Sequence, residues 1–138
     1  MALWLIAAIL AQGALALGLL WYLGSIRLPM IMKGEVRIED IAVDRNGWPK
    51  RERQASNAFD NQFQLPVLFY AAALLALYFG PVLIEVVLAW LFVASRYVHA
   101  HVHITDNHVV RRFTAYFVGL VLLCLLWLDL VVRLFLAI

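Results

Sequence analysis

Residues 2–24 read ALWLIAAILAQGALALGLLWYLG, a run without a single charge. A helix needs about 20 predominantly apolar residues to cross a bilayer, and this stretch meets that requirement alone. It lacks a positive amino-terminal region, and its apolar run outlasts the roughly 7–15 residues of a signal peptide core, so it reads as a retained helix. Three more apolar stretches follow. Phe63–Phe79 comes after a polar run, Pro81–Ser95 continues beyond a Gly80-Pro81 break, and Phe113–Ile138 closes the sequence. Their apolar residues run on without alternation, which argues against strands. The middle two reach spanning length only by extending into polar residues at one end. The expectation is therefore an all-α integral membrane protein, an up-and-down bundle of four transmembrane helices joined by short connections. The spans fall near Ala2–Gly24, Gln54–Phe79, Pro81–His103 and Arg111–Ala137, in one domain covering residues 1–138, with loops at 25–53 and 104–110.

Composition supports this reading. The 138 residues are 65% apolar and 14% charged, against about 45–50% and about 25% in a soluble domain. A mean hydropathy of +0.87 excludes disorder and an ordinary soluble globule. The net charge is only +2, but its distribution is uneven: seven of the eleven Lys/Arg lie between Arg27 and Arg53. Glu35, Glu39, Asp40, Asp44 and Glu52 share that stretch, which leaves no basic face for a nucleic acid. Three further cations lie in Arg96–Arg112, and the Gly80-Pro81 turn has none. The Lys/Arg bias of short loops predicts that both long connections are cytoplasmic and that both termini lie on the opposite side. In the first loop, Asp44–Gly47 and Trp48-Pro49 mark turns, while Val36, Ile38, Ile41 and Val43 suit packing against the membrane surface. Cys124 is the only cysteine, so no internal disulfide forms.

Ionisable groups at membrane depth are costly and mark functional sites. Two clusters qualify. At about 100° per residue, Arg53, Asn57 and Asp60 fall within roughly a 60° sector where the second span begins. Arg96, His99 and His103 share a face where the third span ends, with Asp106, Asn107, His108, Arg111 and Arg112 beyond. Acids at a helix start and cations at a helix end also complement the helix dipole, so anchoring alone would account for either cluster singly. Together they describe a polar pocket lined by Arg53, Asn57, Asp60, Arg96, His99, His103 and Arg112. Its surplus of cations suits an anionic ligand, and Asp60 suits an amino group. Adjacent lipid gives an apolar second substrate direct access. A zwitterionic peptide of net negative charge meets this description, and so does a phospholipid headgroup. His99 and His103 at i, i+4 could also share a metal with Asp60 or Asp106, although a helix turns His101 away and no second ligand set follows. No metal ligands are assigned. Asp129 and Arg133, again at i, i+4, read as a paired anchor, with Glu85 near the Gly80-Pro81 turn.

The stretch Arg53-Gln54-Ala55-Ser56-Asn57-Ala58-Phe59-Asp60 resembles the Arg-x-x-x-Asn-x-x-Glu signature of the MAPEG family, the membrane-associated proteins of eicosanoid and glutathione metabolism. Arg96-x-x-His99, followed by His103 and Arg112, resembles the third- and fourth-helix pattern of the family's prostaglandin E synthases. The resemblance covers the whole four-helix architecture and is of a bacterial type, which implies a bacterial inner membrane. It further implies a homotrimer, surrounded by lipid, that binds glutathione as co-substrate between subunits near the cytoplasmic face. Arg53, Asn57, Asp60, Arg96 and His99 would then hold glutathione. Arg112 would stabilise its thiolate, with Arg111 in that place if the fourth helix starts rotated. Three departures stand out. Asp60 replaces the longer Glu, His103 stands where the family has a Tyr, and Phe113 replaces a Ser, which argues against prostaglandin isomerase activity. The expected function is a glutathione-dependent transferase or peroxidase acting on hydrophobic small-molecule electrophiles, with Arg112 and His103 as its catalytic residues. The alternatives are a non-catalytic protein of the same fold binding a lipid or other anion, and a histidine-based metal protein.

Overall fold

The computed structural model describes residues 1–42 and 44–136. Val43 and the expected carboxyl-terminal end of the last helix at Ala137 lie outside the described residues. The described residues form six α-helices: α1 (Ala2–Met32), α2 (Ile38–Ile41), α3 (Lys50–Asp60), α4 (Leu65–Phe79), α5 (Leu83–Ile104) and α6 (Val109–Leu136). A single 3-10 turn, Asn61–Phe63, joins α3 to α4. Taken with that turn, the helices provide four spans long and apolar enough to cross a membrane: Ala2–Met32, Lys50–Phe79, Leu83–Ile104 and Val109–Leu136.

Two boundaries differ from the sequence reading, each for a local reason. The first helix does not stop at Gly24 but runs to Met32, through Pro29. The charge expected to end it, Arg27, is neutralised sideways. Its guanidinium donates to Glu52 of α3 at 2.7 Å, while Glu52 itself is buried, and stands 5.2 Å over the Trp48 ring. The second span, expected as one helix over 54–79, begins at Lys50 and is interrupted. Gln64 takes φ −105, ψ −106, which is not helical. Pro66 is the cause: it has no N–H to donate to Gln62, and its ring would meet that residue's carbonyl in a continuous helix. Restarting at Leu65 puts Pro66 in the first turn of α4, where no N–H is needed.

The core lies where α1, α4, α5 and α6 meet. Phe69 of α4 and Phe92 of α5 stack with ring centroids 4.8 Å apart, both fully buried. Ala72, Ala73, Ala76 and Ala89 are fully buried around them and let the backbones approach closely. Leu5 and Ala8 of α1 seal one side, and Leu123, Leu126 and Leu130 of α6 the other. The outward faces carry exposed Leu3, Trp21, Tyr78 and Phe135, the surface a helix offers to lipid. A second cluster joins Leu19 of α1, Ala58 of α3 and Ala100 of α5 nearer the histidines.

The Gly80-Pro81 end is closed by charge. Arg133 donates to Glu85 Oε1 at 2.6 Å and to the carbonyls of Phe79 and Gly80 at 3.2 and 2.9 Å. Glu85 Oε2 accepts the Val82 N–H, capping α5. The expected pairing of Asp129 with Arg133 is therefore replaced: the arginine turns to a carboxylate 48 residues away in sequence, which also holds the turn.

Candidate functional site

At the other end of α5 and α6, the chain reverses in four residues. Thr105 Oγ1 bonds the His101 carbonyl at 2.7 Å, and the Asn107 N–H bonds that of Val102 at 2.8 Å. Asn107 has φ +51, a left-handed conformation that asparagine tolerates. Asp106 Oδ1 accepts the His108 N–H and opens α6. This turn sorts the two adjacent arginines. Arg111 faces outward and pairs with Asp106 at 3.3 Å, largely exposed. Arg112 turns inward, half-buried, and donates to the Asn107 side-chain carbonyl.

Arg112 thereby reaches a cleft of about 210 Å³, lined by Asn61, His99, His103, Val109, Arg112, Phe113 and Tyr116. His99 and His103 are each 3% exposed and meet edge to face, with centroids 5.6 Å apart. His99 also stands edge-on to Tyr116 at 5.7 Å. His103 Nδ1 has no partner among the described residues. The lining has one guanidinium, two imidazoles, a phenol and an amide, and no carboxylate. Val109 and Phe113, both strongly exposed, form an apolar lip. Chemically such a lining suits an anion, with an apolar edge beside it.

Arg96 does not line this cleft, although the sequence suggested it. It is 1% exposed and lies beneath the wall, its guanidinium 5.1 Å from the Tyr116 ring and 5.7 Å from that of Phe92. One nitrogen donates to the Ala115 carbonyl at 2.9 Å, and Nε and Nη1 have no partner among the described residues. The reason is Gly119. A Cβ there would sit 2.8 Å from Arg96 Nη2 and 2.6 Å from Ser95 Oγ, so only glycine leaves room for the guanidinium against α6.

Arg53 and Asn57 line a different cleft, of about 220 Å³, together with Arg27, Arg45, Asn46, Trp48, Glu52 and Ser56. Asp60 is held at 2.5 Å by Arg45, whose pKa is raised by that hydrogen bond and by the carboxylate's charge. Arg53 reaches only Asn46, at 3.4 Å. Within one chain, then, the residues expected in a single pocket lie in two adjoining clefts, and Asp60 lines neither. They meet at one helical turn: Asn61, in the histidine cleft, donates to the carbonyl of Asn57 at 2.7 Å. Asp60 and Asp106, the carboxylates that could have completed a histidine metal site, are each occupied by an arginine.

Several polar residues escaped the sequence reading. Tyr116 and Asn61 line the cleft, while Asn107, named in the second cluster without a role, positions Arg112. Tyr116 lies one helical turn beyond Arg112, so helical spacing was a signal available in the sequence. Gln12, in the middle of the uncharged first stretch, donates at 2.9 Å to Gln62 beside the helix break, both buried. Gln62 in turn donates to the Ala58 carbonyl at 3.1 Å.

The MAPEG family model matches residues 2–132, nearly the whole chain. No curated protein and no solved structure matches it.

Proposed function

The chain belongs to the MAPEG family, an integral membrane protein of the glutathione and eicosanoid metabolism group, and we propose that it is a glutathione-dependent transferase or peroxidase acting on lipophilic electrophiles. The observation that carries this reading is the carboxylate-free cleft in which Arg112 stands beside His99 and His103 under an apolar lip. A thiol becomes a nucleophile only as thiolate, and an adjacent cation favours that form. A guanidinium stays charged at every working pH, so Arg112 is the counter-ion and His103 the hydrogen-bond donor to sulfur. Thiolate attack on an electrophilic carbon forms the S–C bond, and the displaced electron pair leaves with the leaving group. With a hydroperoxide, sulfur takes one oxygen, the alcohol departs, and a second glutathione reduces the sulfenic acid, forming glutathione disulfide and water.

Arg53, Asn57 and Asp60 hold the peptide's carboxylates and amine, with His99 on the opposite wall. Arg96 supports Tyr116 from beneath. Because one chain holds these groups in two half-sites, the reading includes a homotrimer in which neighbouring subunits complete the pocket. It also places the histidine end at the cytoplasmic face, as the basic loops require, with both termini on the other side of a bacterial inner membrane.

Calorimetry of glutathione with detergent-purified protein tests the pocket. Saturable binding that Arg53→Ala abolishes supports it, and no binding at millimolar glutathione defeats it. For catalysis, Arg112→Ala should lower turnover of a chloronitrobenzene by about 10²–10³-fold while the assembly size is kept. Unchanged turnover would remove Arg112 from the thiolate role. The second reading, a non-catalytic binder of lipid or another anion, draws on the same acid-free lining. Lipid retained by the purified protein, without any glutathione-dependent thermal shift, would favour it.

A further inference from the structure

Two of the groups on α3 that would grip glutathione are already gripped by the chain itself. Arg45 stands on Asp60 at 2.5 Å, and the Asn46 side-chain carbonyl accepts from Arg53 at 3.4 Å. The two contacts come from adjacent residues, so one short turn delivers a cation to the acid and an oxygen acceptor to the arginine. In kind these are the bonds that the amino-acid end of a ligand would make, an ammonium on Asp60 and a carboxylate oxygen on Arg53. The turn is built to present them. Asp44 Oδ1 accepts the Asn46 N–H at 2.8 Å, and the Trp48 N–H bonds the Arg45 carbonyl at 3.3 Å, closing the 3-10 turn Arg45–Gly47. Gly47 lies so close to α2 that a Cβ would stand 2.8 Å from the Asp40 carbonyl oxygen. Trp48 is buried beneath the Arg27 guanidinium. The backbone is thus seated, while the side chains of Arg45 and Asn46 are exposed. An exposed ion pair is weak, so its partner can be exchanged.

We infer that the Asp44–Trp48 turn is an autoinhibitory latch: Arg45 and Asn46 occupy Asp60 and Arg53 in place of the ligand's amino-acid end, and the ligand binds by displacing them. The inference rests on the reading in which those α3 residues hold glutathione. Its sign sets it apart from ordinary charge attraction. Glutathione's carboxylates outnumber its ammonium, so an arginine that merely lines the cleft would draw it in, and removing that arginine would weaken binding. A latch instead lowers the fraction of protein competent to bind, and the apparent affinity falls by that fraction. Removing the latch therefore tightens binding.

The test is calorimetry of the detergent-purified full chain with glutathione and with its desamino analogue, glutaryl-cysteinylglycine, which has no amine for Asp60. Arg45→Ala should tighten glutathione binding by about threefold to fivefold, the scale of an exposed ion pair, with the unfolding midpoint unchanged. Adding Asn46→Ala, which keeps the N–H that Asp44 accepts, should tighten it further. Arg45→Lys keeps a cation on Asp60 and should stay within about twofold of the wild type. The desamino analogue should gain nothing from Arg45→Ala. Glutathione binding that Arg53→Ala abolishes but Arg45→Ala leaves unchanged or weakens would overturn the latch and leave the glutathione pocket standing. An equal gain for the desamino analogue would overturn it too, because the effect would then not run through Asp60. No glutathione binding by either the wild type or the double variant would overturn the latch and the pocket together.

Discussion

The two ends of the α5–α6 pair treat their arginines in opposite ways. At the Gly80-Pro81 end, Arg133 is bound to a carboxylate and two carbonyls, and the buried Glu85 it meets has both oxygens engaged. At the histidine end, among the described residues, Arg96 has two nitrogens unpartnered, His103 one, and Arg112 has only a neutral amide. Saturated charge holds a turn together and has nothing left for a ligand. Unsaturated charge costs stability, and at the cleft it leaves Arg112 and His103 with bonding capacity that the saturated end lacks.

The sharpest way to break this comparison is Arg133→Ala. It leaves Glu85 buried and unpaired, so detergent unfolding should show a loss of about 3–5 kcal/mol, whereas Arg112→Ala should lose far less. Equal losses would show that the two ends are built alike. Next comes Gly119→Ala, whose added carbon displaces Ser95 and the Arg96 guanidinium. A loss of about 1–3 kcal/mol is expected from overpacking, with the Tyr116 wall disturbed, and an unchanged midpoint would mean Arg96 is loosely seated. Gln62→Leu strands the Gln12 amide and should cost about 1–3 kcal/mol. Adding Gln12→Leu should restore most of that loss, and a double variant worse than the single would count against a simple pair. The smallest effect belongs to Arg45→Ala. That residue is exposed, so the unfolding midpoint should stay within error, while Asp60 is released to meet an amine. A change in glutathione affinity without a change in stability would sharpen the assignment of the half-site.

The four spans are legible in the sequence because a bilayer asks for length and apolarity, both of which are local properties. So is the shared helix face of Arg53 with Asn57 and of His99 with His103, since helical spacing determines both, whereas the single pocket expected from them is two clefts within one chain, and Arg96 lines neither. What sequence could not convey are the partners set by helix packing. Arg27 finds Glu52, and Arg133 finds Glu85 rather than Asp129, across separations that periodicity cannot see. The burial of Arg96 depends on a glycine in a different helix. The break at Gln64 lies where the polar run Asp60–Gln64 gives way to apolar sequence, and Pro66 is its local sign.

That break divides the second span mechanically. A helix interrupted at Gln64 does not carry torque from α3 into α4, so the short helix with Arg53 and Asn57 is a lever with its own fulcrum. What bridges the fracture is α1, which acts as a splint. Its early turns, at Leu5 and Ala8, are set in the core with Phe69 and Phe92, Gln12 is tied to Gln62 in the turn at the break, and its later turns are bound to α3 through Leu19 and Arg27. α3 is therefore anchored through α1, and through Ala100 of α5, rather than through the alanine-lined packing around α4.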